Sequence, residues 1–258
     1  MTCKTMLVAW LGCAAAWGQP GLAPPRVGYG LHADGSVRPV LGTAGNLLLG
    51  DALVGEAISA GSSGKQTLVK KAEELLLLDT EGQRIKSWPA PRGEARMAFT
   101  RQGEAAAVYF VETGQLAWLG NGELEPVPLE AEVVAMASPR RGVVTLVVRR
   151  GEELWQTSVA AGTGEIREEH LLPGVAGPVL LRSDGTLLYT SDGELVTRRR
   201  DWTEKRVGLD AAVLGMEELG GEWVALRVKR EGAAGERRLA LRLTPDDEQL
   251  YELPEVPR

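Results

Sequence analysis

The chain has 258 residues, 44% of them hydrophobic and 25% charged, with a formal net charge of −6. This much apolar side chain builds a full core and excludes an intrinsically disordered chain, while the acidic balance excludes nucleic acid or an anionic membrane as the main partner. Both cysteines, Cys3 and Cys13, lie in the first fourteen residues, which excludes disulfides and thiolate metal sites from the rest.

Residues 1–18 read as a secretory signal peptide. Lys4 opens it, residues 6–16 are an uninterrupted small or apolar run, and small residues offer cleavage after Ala16 or Gly18. The run is too short for a membrane-spanning helix, and no later stretch reaches the ~20 apolar residues that one needs. Cleavage removes both cysteines, and the loss of Lys4 takes the net charge from −6 to −7. Trp10-Leu11-Gly12-Cys13 is similar to a bacterial lipobox, which offers lipidation at Cys13 as the alternative processing. The expected product is periplasmic or secreted, with no transmembrane segment.

Residues 19–26 carry Pro20, Pro24 and Pro25 and read as an extended linker, and residues 27–258 as one domain. The spans 27–31 and 37–41 flank His32-Ala33-Asp34-Gly35 and predict a hairpin, followed by an irregular connection over 42–50. From there a pair of glycine turns recurs. The first turns of successive copies fall at Gly64, Gly103, Gly142, Gly185 and Gly221, a period near 40. In the clearest copy Asp184-Gly185 and Asp192-Gly193 bracket the short strand 187–190, as in an antiparallel hairpin with two-residue turns.

Five copies of four strands follow from this spacing. The first is read over 54–60, 66–70, 75–78 and 85–88, and the second over 96–100, 105–111, 115–119 and 124–129. The third runs over 133–138, 143–149, 154–159 and 165–171, and the fourth over 179–182, 187–190, 195–199 and 205–209. The fifth takes 213–217, 223–228, 238–243 and 249–253. Apolar runs of four to seven residues cut by glycine are too short for stable helices. Strands covered on both faces should be apolar throughout, as 75–78 and 143–148 are. The predicted fold is therefore an all-β propeller of five to six four-stranded antiparallel blades, the hairpin completing a sixth, incomplete blade or covering one edge of the ring.

The turn residues also resemble the TolB-like propeller repeats of bacterial exported proteins. Ser183-Asp184-Gly185 followed by Ser191-Asp192-Gly193-Glu194-Leu195 matches their Ser-Pro-Asp-Gly pattern without the proline. Ser138-Pro139 with Gly142, Glu153-Leu154-Trp155 and Gly162-Thr163-Gly164-Glu165 match it in the third copy. Thr113-Gly114-Gln115-Leu116-Ala117-Trp118 is similar to an element of quinoprotein-type blades. The likeness spans roughly residues 54–253 and implies architecture and export rather than a reaction, because one fold hosts many functions.

Chemistry-bearing residues are sparse. Ser59 and residues 61–67 imitate a phosphate-binding loop, but Gln66 separates Lys65 from Thr67 and a strand follows, so the segment reads as a hairpin turn. His32 and His170 are the only histidines, and they read as surface imidazoles. No Gly-x-Ser-x-Gly elbow presents a nucleophile, and two histidines without cysteine do not complete a zinc shell. Glu56, Arg96, Arg182 and Glu217 are the polar groups assigned to innermost strands. Of these, Glu56 and Glu217 are the candidate calcium ligands. Arg198-Arg199-Arg200, the one basic run, reads as a solvated strand end. Trp88, Trp118, Trp155, Trp202 and Trp223, one per copy, read as packing between blades.

The function expected is an exported, non-catalytic binding or scaffolding module, monomeric, for a protein or cell-envelope component. The alternative is a lactonase-like propeller hydrolase with calcium in its channel. No other cofactor is expected. The leader reading makes a direct prediction: N-terminal sequencing of the mature product should begin at Trp17 or Gln19. Retention of Met1, or lipid on Cys13, would refute it.

Overall fold

The structure, a computed structural model, describes residues 24–255 except Asn121, Ala233, Ala234 and Asp246. The expected signal peptide, both cysteines and most of the expected linker lie outside the described residues. All regular structure within them is β-strand. Blade 1 holds β1 (Arg26–Leu31), β2 (Val37–Thr43) and β3 (Asn46–Leu49). Blade 2 holds β4 (Ser59–Ser62), β5 (Thr67–Lys70), β6 (Glu74–Leu78) and β7 (Arg84–Pro89), and blade 3 holds β8 (Ala95–Phe99), β9 (Ala105–Phe110), β10 (Gln115–Gly120) and β11 (Glu123–Val127). Blade 4 consists of β12 (Glu132–Arg140), β13 (Val143–Arg150), β14 (Glu153–Ala160) and β15 (Ile166–Leu171). Blade 5 consists of β16 (Ala176–Leu181), β17 (Leu187–Ser191), β18 (Glu194–Arg198) and β19 (Glu204–Gly208), and blade 6 of β20 (Ala212–Gly220), β21 (Trp223–Lys229), β22 (Arg237–Leu243) and β23 (Glu248–Glu252).

Each blade is an antiparallel sheet formed by consecutive strands. The five repeats are blades 2 to 6, and the N-terminal hairpin gains β3 to become a sixth blade of three strands. That strand corrects the irregular connection expected over 42–50. Asn46-Leu47-Leu48-Leu49 is only four residues long and flanked by glycines, below the length at which alternation is legible.

A second correction concerns the first repeat. Its innermost strand is Ser59–Ser62, not 54–60. Val54 is instead bridged to Val37 of β2: the Val37 amide donates to the Val54 carbonyl at 2.8 Å, and Leu53 donates back to Val37 at 2.9 Å. Residues 53–58 therefore cap blade 1 before the chain enters blade 2.

The core consists of six separate apolar clusters, one in each gap between blades. Leu68, Leu75 and Trp88 meet Phe99 and Val108 between blades 2 and 3. Tyr109 and Leu116 meet Val144 and Leu146 between blades 3 and 4, and Val147 and Leu154 meet Leu187 and Val196 between blades 4 and 5. Leu188 and Leu195 meet Leu226 and Leu241 between blades 5 and 6. Val40 and Leu47 meet Leu219 and Trp223 across the seam between first and last blades, and Tyr29 and Val37 meet Val69 and Leu76 between blades 1 and 2. Burying one such leucine contributes about 1.5–3 kcal/mol. This two-sided burial is why the middle strands read as unbroken apolar runs.

The innermost position of blade 1 is handled differently from the others. β1 lies beside both β20 and β4, but it runs against β20. Gly28, near its start, abuts Leu219 near the end of β20, and Leu31 at its end reaches Glu217. A Cβ at Gly28 would collide with the Leu219 carbonyl, so this approach requires glycine. The end of β20 also reaches the first turn of blade 2, with Gly220 against Gly64 and the Val27 carbonyl. Blade 1 thus holds the counterparts of the second, third and fourth strands of a full blade.

Two turn geometries serve the repeat. Asp192 and Gly193 both have positive φ (52° and 80°), the two-residue turn predicted. Asp184-Gly185 is a longer turn: Gly185 donates to Arg182, Arg182 donates to Thr186, both at 2.9 Å, and the Asp184 carboxylate accepts from the Thr186 amide at 2.8 Å. Only Gly185, φ 90°, is left-handed there. Gly185→Val and Gly193→Val should each lower stability by about 1–3 kcal/mol, the cost of forcing a β-branched residue into that region. Unchanged melting temperatures in both would overturn this account of the turns.

Candidate functional site

The channel is the natural place to look for chemistry in a ring of blades. A cavity of about 150 Å³ is lined by β4, β8, β12, β16 and β20. Alternation along each inner strand turns every second side chain inward. Met97, Met136 and Met216, one each from β8, β12 and β20, and Leu180 line it, so the interior is largely apolar. Its polar lining is Ser62, Arg96, Ser183, Glu217 and Glu218. Arg96 is committed: its Nε donates to the Val133 carbonyl of blade 4 at 2.9 Å.

Glu217 sits on the wall where blades 6 and 1 meet. Its Oε1 accepts from Arg238 Nη2 of β22, and the Leu31 backbone donates to the same carboxylate. Arg238 Nη1 lies 2.9 Å from Nδ1 of His32 in the β1–β2 turn. A guanidinium only donates, so Nδ1 accepts and the proton of the neutral imidazole sits on Nε2. That atom is buried without a partner. Burial, followed by the Arg238 charge, pushes the His32 pKa down to about 4, while burial raises that of Glu217 against the pull of Arg238.

Arg182 and Glu218 form a second pair, between blades 5 and 6. Arg182 is buried; its Nε stands 3.4 Å from Glu218 and its Nη2 donates to the Gly221 carbonyl. Asp184 lies 3.8 Å from Arg182 on the other side. Burial raises the Glu218 pKa to about 7 despite the Arg182 charge.

Several residues singled out in the sequence occupy other places. Glu56 is not on an inner strand: it lies in the connection into β4 with φ 60°, its side chain 89% exposed and 3.3 Å from Lys71. Glu56 and Glu217 thus belong to separate ion pairs. Among the described residues, no group of three or more His, Asp, Glu or Cys is placed to hold a metal ion. His32 is 5% exposed rather than a surface imidazole, because its turn is folded onto the last blade; His170 is exposed on β15. The segment 61–67 is the β4–β5 hairpin turn, with Ser63 donating to Gln66 at 3.0 Å. Of the basic run, only Arg200 is solvated. Arg198 is buried, and Arg199 Nη2 donates to the Thr244 and Pro245 carbonyls of blade 6 at 3.0 and 2.6 Å. Trp88 and Trp223 are buried and Trp118 and Trp155 partly so, but Trp202 is 56% exposed.

Sequence reasoning missed Glu218, Arg238 and Arg198. Glu217 and Glu218 are consecutive on a strand, so their side chains leave opposite faces and each needs its own partner. Arg238, 206 residues from His32, carried no local signal.

No protein-family model and no curated protein sequence matches the chain. Solved structures do. A protein of unknown function from Bacteroides caccae aligns with a TM-score of 0.53 and 13% identity over 85% of this chain and 90% of that one. PorZ, a bacterial surface component of the type-IX secretion system of Porphyromonas gingivalis, gives 0.51 and 10% over 90% of this chain and 39% of that one. The putative TolB from Agrobacterium tumefaciens gives 0.49 and 12% over 80% of this chain and 84% of that one. The chain is a six-bladed β-propeller. At these identities the likeness is one of fold, in agreement with the architecture read from the turn motifs.

His32, which is buried, and Glu218, which is partly buried, act on stability with opposite signs. His32 has a folded pKa below its unfolded value of 6.5, so its contribution is present above pH 6.5 and is lost as pH falls through 4. Glu218 has a folded pKa above its unfolded 4.5, so its contribution is complete below pH 4.5 and is lost as pH rises through 7. Each is worth at most ~3 kcal/mol across its window. Glu218→Gln should therefore gain stability relative to the unsubstituted protein as pH rises from 5 to about 8. A pH-independent difference in unfolding free energy would rule out the burial assigned to Glu218.

Proposed function

We propose that this protein is an exported, non-catalytic propeller that binds a protein or a cell-envelope component through its rim and loops. The observation that carries this reading is what the channel carboxylates are used for. Glu217 is held by Arg238 and Glu218 by Arg182, each at a junction with the last blade, while methionines line the remaining interior. Each carboxylate already stands beside a guanidinium, which competes with a cation for it. The residues with strongly shifted pKa values therefore work as ties between blades. Export rests on the leader read at residues 1–18, and the net negative charge sets the partner apart from nucleic acid.

The lactonase-like alternative requires calcium in the channel, with Glu217 released from Arg238 to bind it. Purified mature protein should be titrated with calcium while its melting temperature is followed, then assayed for lactone and ester hydrolysis with the ion present. The expected result is no rise in melting temperature and no turnover above buffer. Stoichiometric calcium with turnover lost in Glu217→Gln would replace the binding reading by the enzyme.

A further inference from the structure

We propose that an arc of unpaired cations on the turns at one end of the ring, from blade 2 to blade 5, is a docking surface for an acidic segment of a partner protein. This inference rests on the binding-module reading and assigns its site.

The first turns of the blades lie side by side at this end. Ser63 Oγ donates to the Gly103 carbonyl at 2.6 Å, tying the β4–β5 turn to the β8–β9 turn. Thr100, next after β8, forms a parallel bridge with Ser138 of β12, so blades 3 and 4 end at the same level. Arg182 Nη2 donates to the Gly221 carbonyl between blades 5 and 6, and Gly220 abuts Gly64, where blade 6 meets blade 2.

Exposed cations stand on these turns. They are Lys65 on blade 2, Arg101 on blade 3, Arg140 and Arg141 on blade 4, and Arg200 on blade 5. Lys65 lies across the turn of the next blade, since a Cβ at Gly103 would stand 3.2 Å from its Cβ and Cγ. Arg200 comes from the β18–β19 turn and lies across the first turn of its own blade, where a Cβ at Gly185 would stand 3.4 Å from its Cβ. Both glycines have positive φ, 85° and 90°. The glycine turns that mark the repeat therefore also give the stems of these two cations a place to lie.

Within the described residues none of the five has a carboxylate partner. On the outer strands the pattern is different: Lys86 is matched by Glu123, Arg150 by Glu169 and Arg206 by Glu194. The acids of the same turns do not neutralise the arc. Asp184 accepts from the Thr186 amide and stands beside buried Arg182, and Asp201 accepts from the Thr203 amide and hydroxyl. Glu104 is left as the one free carboxylate on these turns, against five cations.

Like charges grouped on a short arc repel one another, and an anionic segment laid along them relieves that repulsion. Four of the five are arginines, whose planar guanidinium takes a carboxylate through two parallel hydrogen bonds. The charge of the whole chain selects the class of partner. It is net negative, so a broad anionic surface such as a bilayer meets the repulsion of the body together with the arc. A short acidic segment is screened from charges beyond about 8 Å at physiological salt and meets the arc alone.

The test uses the mature protein and a fluorescein-labelled peptide of alternating serine and glutamate, with the glutamine version as control, read by fluorescence polarisation at low and at physiological salt. The glutamate peptide should bind, more tightly at low salt, and the glutamine peptide should not. Arg140→Gln with Arg141→Gln, both exposed, should keep the melting temperature and weaken binding by about tenfold or more. Arg92→Gln with Lys229→Gln removes the same charge from the opposite end of the ring and should leave binding unchanged. Absence of glutamate-peptide binding would overturn the arc, as would equal losses in the two double variants. Capture of the protein by phosphatidylglycerol vesicles in preference to the peptide would overturn it too, making the partner a membrane. The turnover assay described above judges the binding-module reading separately.

Discussion

A ring of sheets is held only if its last blade packs on its first, and in this chain that seam is made by a glycine and a guanidinium. Gly28 lets β1 lie directly against Leu219, close enough for Val40 and Leu47 to share a core with Trp223 and Ala225. Arg238 then joins His32 of the first blade to Glu217 of the last. Each of the other five gaps is filled by residues from blades adjacent in sequence, and none has to bring together groups about 190–200 positions apart. Loop-closure entropy rises with separation, so the seam is where the fold costs most to complete.

This constraint explains why the polar groups of the interior are where they are. Glu217 and Glu218 leave opposite faces of one strand, and each finds an arginine on a different neighbouring element. Single substitutions at these pairs should be read with care, since removing one partner leaves a buried charge whose cost exceeds the value of the pair. The methionines of the channel fill an irregular space that branched side chains would fit poorly.

Much of the architecture was legible because the repeat writes itself in turn residues. Gly64, Gly103, Gly142, Gly185 and Gly221 all have positive φ, so the period seen in the sequence is a period of backbone geometry. Strand limits in blades 3 to 6 followed from the apolar runs. Blade 1 was only half legible: its third strand is four residues long, and the bridge that takes Val54 to Val37 rather than into the next blade has no local signal. The site was less accessible. A histidine in an Asp-Gly turn looks exposed until another blade is folded over it, and Arg198 looks like a solvated run until Tyr189 and Trp202 are seen on its two faces. Such contacts are set by which strands face each other across a gap, information that no local pattern contains.

The three-stranded blade has a consequence for how the molecule is wired. Among the described residues each blade is one unbroken stretch of chain, and no sheet borrows a strand from the opposite end. The join between first and last blades is therefore a packing contact rather than a hydrogen-bonded sheet. The seam differs from the other five crossings in one respect, since the first blade lacks the innermost strand on which each of them ends. New termini cut between blades 3 and 4, with the old ones linked, would leave all six sheets whole and convert the present seam into an ordinary covalent crossing. The order of blades along the chain is in this sense arbitrary, and the order around the ring is what the packing specifies.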